Sequence, residues 1–336
     1  MTTMVNWYGR RALLLLIAIP LLQSTGDAQR DKIRFRITNK LGVSRPAAKR
    51  SGSQAARPQD YRNPIVFVRS ETTRVASEGG NIWIMEEDGS GIRQLTFGSS
   101  YDEHPALFSD RRHVLYSEFN SSTFEPRNGA KLIRLNIVTG QREVYAEAPG
   151  CALHHVTLSP IKDLLVYQHD CGNRLSQRVG WGPGSYELPM LARNGVAVSE
   201  NSVVFMHEKN QVTPRQVALV RMDGHGRGAK AVFLTDDQYL HRRPAVSLDG
   251  RWIAWQTNAV GDQDEVFLAR IDGSEARNLT NSPGLDGHPW FSRDGRWIVF
   301  ESDRTGSQEI WKINLASLQQ YQLTFDRAHP SRTPRW

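Results

Sequence analysis

The chain has 336 residues, 42 Lys and Arg against 35 Asp and Glu, and 39% hydrophobic residues. That apolar share excludes disorder along the whole length, and 27 Gly without a sustained heptad exclude a collagen and a coiled coil. One short apolar run excludes a polytopic membrane protein, and two Cys exclude a disulfide-dense scaffold and a four-Cys zinc site.

Arg10 and Arg11 precede the apolar run Ala12 to Leu22, broken only by Pro20. A run of about 11 residues is too short to span a bilayer. With Gly26, Asp27 and Ala28 before Gln29, residues 1–28 read as a secretory signal; the competing reading is a short membrane anchor. The mature protein is then expected in the periplasm or secreted, in an oxidising compartment, without a transmembrane segment. Residues 29–63 carry ten basic residues and two acidic ones, a charge of +8. Without the signal and this arm, residues 64–336 stand at −2, so the basic balance belongs to the arm and predicts no basic face on the domain. Rich in Ser, Ala, Pro and Gly, the arm reads as a flexible spacer, or as an electrostatic contact to an anionic polymer. No specific nucleic-acid contact is expected.

From residue 64 onward the chain repeats. Pro244, Ser247, Asp249, Gly250, Arg251, Trp252 and Ile253 recur 45 residues later as Pro289, Ser292, Asp294, Gly295, Arg296, Trp297 and Ile298. Pro334 follows Pro289 by the same offset. A second signature follows the first: an apolar strand, Asp-Gly, then Leu-Thr, as in Ile82 to Ile84, Asp88-Gly89 and Leu95-Thr96. Each unit thus holds four short period-two runs separated by turns, and Asp-Gly supplies the positive φ of a tight hairpin. Such a unit cannot bury both faces alone, and radial stacking solves this as a β-propeller. First strands begin near 104, 155, 194, 243, 288 and 333, which predicts an all-β, six-bladed propeller over 64–336. The last run, 331–336, matches a first strand, and the first run, 64–68, matches a second. Their pairing would close the ring and remove an open edge.

These repeats resemble the TolB-type propeller repeat: Asp-x-x-Pro, Ser-x-Asp-Gly, Ile-Trp, Asp-Gly and Leu-Thr. The resemblance covers essentially all of 64–336 and implies fold rather than function, because that repeat serves many unrelated exported proteins. TolB itself carries an α/β domain before its propeller, and residues 29–63 are too few for one, so the chain is not expected to be a TolB orthologue.

A hairpin turning at Ser159 to Asp163 is centred on residue 161, so facing residues should have numbers that add to about 322. Cys151 and Cys171 meet that condition and are expected to form a disulfide. The same arithmetic sets His169 near residue 153.

In a propeller the loops before each first strand and after each second strand share one face around the central channel. This rule gathers Asp102, His104, His155, His169, His241, Arg243, Asp286 and His288 there, with His154, His329 and His207 nearby. Three readings compete: a metal or catalytic site, a site for an anionic or sugar-like ligand, or polar residues that merely sit where loops are. No nucleophile elbow, P-loop, dinucleotide fingerprint or His-Glu-x-x-His motif is present.

Leu153 to Pro160, Leu164 to Cys171, and Arg178 to Trp181 resemble a stretch of the oligogalacturonate lyases, propellers that cleave uronates by β-elimination with a channel-bound divalent metal. The resemblance implies a catalytic His at His155, an Arg near Arg178, and His169 beside them. Of the metal ligands it implies, His288 survives and Asp286 replaces a His, while Arg243 stands where another His is expected. The expectation is therefore a propeller that binds a partner protein or a small or oligosaccharide ligand at its His-rich face, without catalysis and without a cofactor. The alternative is a lyase-like enzyme using His155, His169 and Arg178 with one divalent metal ion at His288 and Asp286.

Overall fold

The computed structural model describes residues 61–70, 80–159, 162–172, 174–180, 185–188, 192–210, 216–224, 228–261 and 263–336. The signal-like segment and the arm up to residue 60 lie outside the described residues. The described chain is built of β-strands, with one short 3-10 turn at Pro126–Asn128. No helix among the described residues is long and apolar enough to cross a membrane.

The strands form antiparallel meanders in chain order. Four sheets have four strands each; a fifth has eight, made of two meanders that touch through one parallel pair, Ala130 with Ala152. The C-terminal strand Ser331–Arg335 pairs with the N-terminal strand Pro64–Ser70, through Val66 with Arg335 and Val68 with Arg332. Successive sheets bury their faces against one another. Val68, Ile82 and Ile84 pack with Val114, Tyr116 and Ile133; Leu115 and Leu132 with Leu153 and Tyr167; Val166 and Val179 with Val203 and Phe205. The largest cluster joins Val204 and Leu219, through Ile253 and Val299, to Ile65 and Phe67 of the first strand. Removing this apolar surface from water is the main stabilising term.

Both sequence signatures have a mechanism. In Ser-x-Asp-Gly, Ser292 Oγ donates to Asp294 Oδ1 (2.6 Å) and accepts from the Trp297 amide (3.0 Å), while Gly295 takes φ 68°. Ser247, Asp249, Trp252 and Gly250 repeat this geometry. In Leu-Thr, the Thr hydroxyl replaces a strand partner: Thr96, Thr235, Thr280 and Thr324 accept from the amides of Ile82, Leu219, Val266 and Ile310 at 2.8–3.0 Å. The repeat-position Trp residues pack, half-buried, against the core and lie beneath cations. Arg69 covers Trp83, Arg270 Trp252, Lys312 Trp297 and Arg304 Trp311, each within 4.7 Å of the ring centroid. A long cationic side chain shields the outer ring face.

The predicted disulfide is present between Cys151 and Cys171. Its hairpin pairs Ala152 with Asp170, Leu153 with His169 and His154 with Gln168, the register that the arithmetic requires. The bridge closes a sequence separation of 20 residues. Replacing both Cys with Ala should cost about 3 kcal/mol through the freer unfolded chain. Chemical denaturation checks this, and an unchanged midpoint would contradict it.

Candidate functional site

Six strands share one irregularity. In each, two residues oppose one on the neighbouring strand: 104 and 105, 155 and 156, 194 and 195, 243 and 244, 288 and 289, 333 and 334. The first of each pair, His104, His155, Asn194, Arg243, His288 and Thr333, has φ between 47° and 54°. Left-handed backbone costs a non-glycine residue about 1–2 kcal/mol, and a bulge re-aims the side chain. Thr333, being β-branched, is the least suited to it. Its amide is held by Glu301 Oε2 at 2.7 Å.

Five of these six residues, all but Asn194, line one cavity of about 470 Å³ together with Tyr101, Glu103, Phe124, Arg242, Gln256, Glu301 and Arg332. The rings of His104 and His155 lie 4.1 Å apart between centroids, and those of His104 and His288 lie 6.3 Å apart. Glu103 Oε2 is 3.0 Å from His104 Nδ1, and Glu103 Oε1 is 3.9 Å from His155 Nδ1. Arg243 Nη1 stands 3.5 Å from His104 Nε2. On the other side, His288 Nδ1 is 2.9 Å from Glu301 Oε1 but not aligned for a hydrogen bond.

Burial sets the charges. It pushes Glu103 up to about 7 and depresses His288 to about 4, and it holds His104 and His155 well below the usual imidazole range. The neighbouring Arg243 adds to the depression of all three imidazoles. Burial would raise Glu301, but the His288 ring and the Thr333 amide outweigh it and hold Glu301 at about 2. The cavity at neutral pH is therefore lined by neutral imidazoles, the guanidinium of Arg243 and ionised Glu301.

Of the residues expected at this face, His104, His155, Arg243 and His288 come together, and four do not line the cavity. Asp286 accepts two hydrogen bonds from Arg304 Nη2 (2.9 and 2.8 Å) and one from Ser282 Oγ (2.9 Å). Asp102 accepts from Ser100 Oγ (3.0 Å) and is buried. Both carboxylates serve the loops that lead into their strands. His241 uses both ring nitrogens: Nδ1 accepts from Trp255 Nε1 (3.0 Å), which leaves the proton on Nε2 to donate to Asp237 (2.8 Å). His169 is buried with Nε2 3.5 Å from Cys171 Sγ. Arg178 lies 3.9 Å from Glu187, and so neither His169 nor Arg178 joins His155. The metal implied by the lyase resemblance does not fit its residues, because Asp286 is consumed by Arg304 and Ser282. Outside the rim, His329 is exposed beside Asp326, and His207 packs near Phe233.

Sequence reasoning missed Glu103, Arg242, Glu301 and Arg332. The 45-residue offset was the available signal: Glu301 follows Gln256 by that number, and both line the cavity.

The family described as the TolB beta propeller domain matches residues 228–336. TolB from Acinetobacter baumannii superposes with a TM-score of 0.67 at 16% identity, over 82% of this chain and 66% of that one. The fold is a TolB-like β-propeller. A putative TolB from Agrobacterium tumefaciens gives a TM-score of 0.56 at 17% identity, over 82% of this chain and 98% of that one. The chain thus covers just under two thirds of the Acinetobacter TolB, and identities this low speak to the fold alone. Oligogalacturonate lyase in complex with manganese reaches a TM-score of 0.47 at 17% identity, over 78% of this chain and 73% of that one, a likeness that carries no argument. No curated protein matches the sequence.

Proposed function

We propose that the protein is an exported, six-bladed propeller, closed by pairing of its terminal strands, that binds an acidic ligand or an acidic segment of a partner protein in the His104–His155–Arg243–His288 cavity. One observation carries the reading: buried polar atoms without aligned hydrogen bonds, among them Glu103 Oε1 and both ring nitrogens of His288, surround a cavity open to a ligand. Buried polar groups normally find partners, and a bound molecule would supply them. Arg243 and Arg332 favour a carboxylate, to which a guanidinium donates two parallel hydrogen bonds. Six bulges at matching positions of six four-stranded units support six blades. The disulfide and the signal-like segment 1–28 support export. The arm at 29–63, carrying +8, adds an electrostatic contact to an anionic polymer. The lyase-like reading is weaker, since His169 and Arg178 stand away from His155.

Calorimetry with trigalacturonate and with an acidic hexapeptide tests this reading. At least one probe should bind, and Arg243→Asn, which keeps a residue tolerant of positive φ, should weaken it by about 10- to 100-fold, the worth of one charged hydrogen bond. If neither probe binds, or binding ignores the substitution, the proposal is wrong.

A further inference from the structure

We infer that Glu103, His104 and His155 form a binding site for a divalent first-row transition metal. This deepens the reading of the cavity as a ligand site, because the ion would stand in its wall. One donor atom from each of the three residues lies within 4.8 Å of the others. Donors bound to one ion at about 2.1 Å stand roughly 3.4 Å apart in tetrahedral geometry. The present 3.0 Å from Glu103 Oε2 to His104 Nδ1 is close to that spacing, and a small contraction brings the His155 donor in from within 4.8 Å.

The placement is built rather than incidental. Both imidazoles project from bulges at φ 47° and 50°, which brings two rings from adjacent meanders to a centroid distance of 4.1 Å without a hydrogen bond between them. Glu103 and His104 are 4% and 6% exposed, and Glu103 Oε1 and His104 Nδ1 make no aligned hydrogen bond. Burying two such atoms without partners is costly, and an ion satisfies both. An outer layer exists as well. His154 Nδ1 is 2.5 Å from His155 Nδ1, a contact that holds this nitrogen and leaves His155 Nε2 to the ion. That is the usual role of a residue behind a metal-bound imidazole.

The donor set selects the ion. Two neutral imidazoles and one carboxylate suit zinc, manganese, iron or cobalt, and do not suit calcium or magnesium, which prefer oxygen. Arg243 approaches His104 on Nε2, the ring nitrogen away from Glu103, so its charge lies across the ring from the ion. Glu301, paired with His288, offsets Arg243 on its other side. Remaining coordination positions would face the cavity and could take a water or the carboxylate of the bound ligand.

Cobalt(II) alone is the first probe, added to the full chain purified without a histidine tag and stripped with chelator. One ion per chain with visible absorption is expected. Glu103→Gln and His155→Asn should each weaken binding at least tenfold at an unchanged melting temperature, while the exposed His329→Gln should bind as the parent does. X-ray absorption of the zinc-loaded parent needs no variant and should show two imidazole nitrogens. Absence of cobalt and zinc binding, binding equal in all variants, or a zinc shell without histidine would each overturn the site. Because no organic ligand is present, that failure leaves the trigalacturonate and peptide result to stand or fall by itself.

Discussion

A chain ending at Pro330 is expected to lose its stable folded monomer. All five residues of Ser331–Arg335 are buried, and Trp336 is 8% exposed. Truncation removes the partner of Pro64–Ser70, a strand whose seven residues are also buried, and leaves it as an unpaired apolar edge. It also takes the Thr333 amide from Glu301 and the Arg335 guanidinium, 4.6 Å from the Trp290 ring centroid, from its stack. Loss of one large buried aromatic alone costs about 3–5 kcal/mol. A whole strand exceeds the roughly 5–15 kcal/mol by which a domain is stable. Circular dichroism melting and size exclusion would show loss of the cooperative transition and association of chains. A monomer with the parent melting temperature would contradict the argument.

The second large effect is acid lability centred on His288 and Glu301. Burial depresses His288 in the folded chain to about 4, below its ordinary 6.5. The unfolded chain therefore binds the extra proton first as pH falls, so the contribution of His288 is present above about 6.5 and is lost between about 6.5 and 4. At about 1.4 kcal/mol per unit, this window is worth up to about 3 kcal/mol. Glu301, held at about 2 against an ordinary 4.5, then loses its own contribution as pH falls from about 4.5 to 2. His288→Asn should reduce the first slope and, because the ring also holds Glu301 down, shrink the second. Urea midpoints between pH 7 and 3 measure both, and equal slopes in parent and variant between pH 6.5 and 4.5 would refute the assignment.

The fold was largely legible because its signals are local and repeated. Ser292, Asp294 and Gly295 interact within one turn, and so does their copy at 247–250. The disulfide followed from hairpin register alone, which needs no knowledge of the rest of the chain. The rim was half legible. His104, Arg243 and His288 announced themselves by preceding Pro, and that position is the one that turns into the cavity. Asp286 looked equally well placed, but its fate is decided by Arg304, just past the end of the adjacent strand, whose side chain turns back onto the carboxylate. Likewise Trp255 claims His241 through its indole, so a polar residue at the right face is withdrawn from the cavity by a tertiary contact. Glu103 escaped notice because its equivalents are His154, Arg193, Arg242, Gly287 and Arg332, none of them a carboxylate.

The bulges separate what the sheet needs from what the cavity presents. At five of the six, the first bulge residue lines the cavity and forms no ladder pair of its own, so the strand hydrogen bonds do not depend on its identity. The six positions already hold three imidazoles, an amide, a guanidinium and a hydroxyl on one backbone geometry. Any side chain that tolerates positive φ can be exchanged there at little cost to folding, which makes the rim a set of independently adjustable positions. A scaffold arranged in this way can change what it recognises, by single substitutions, far faster than it can change its shape.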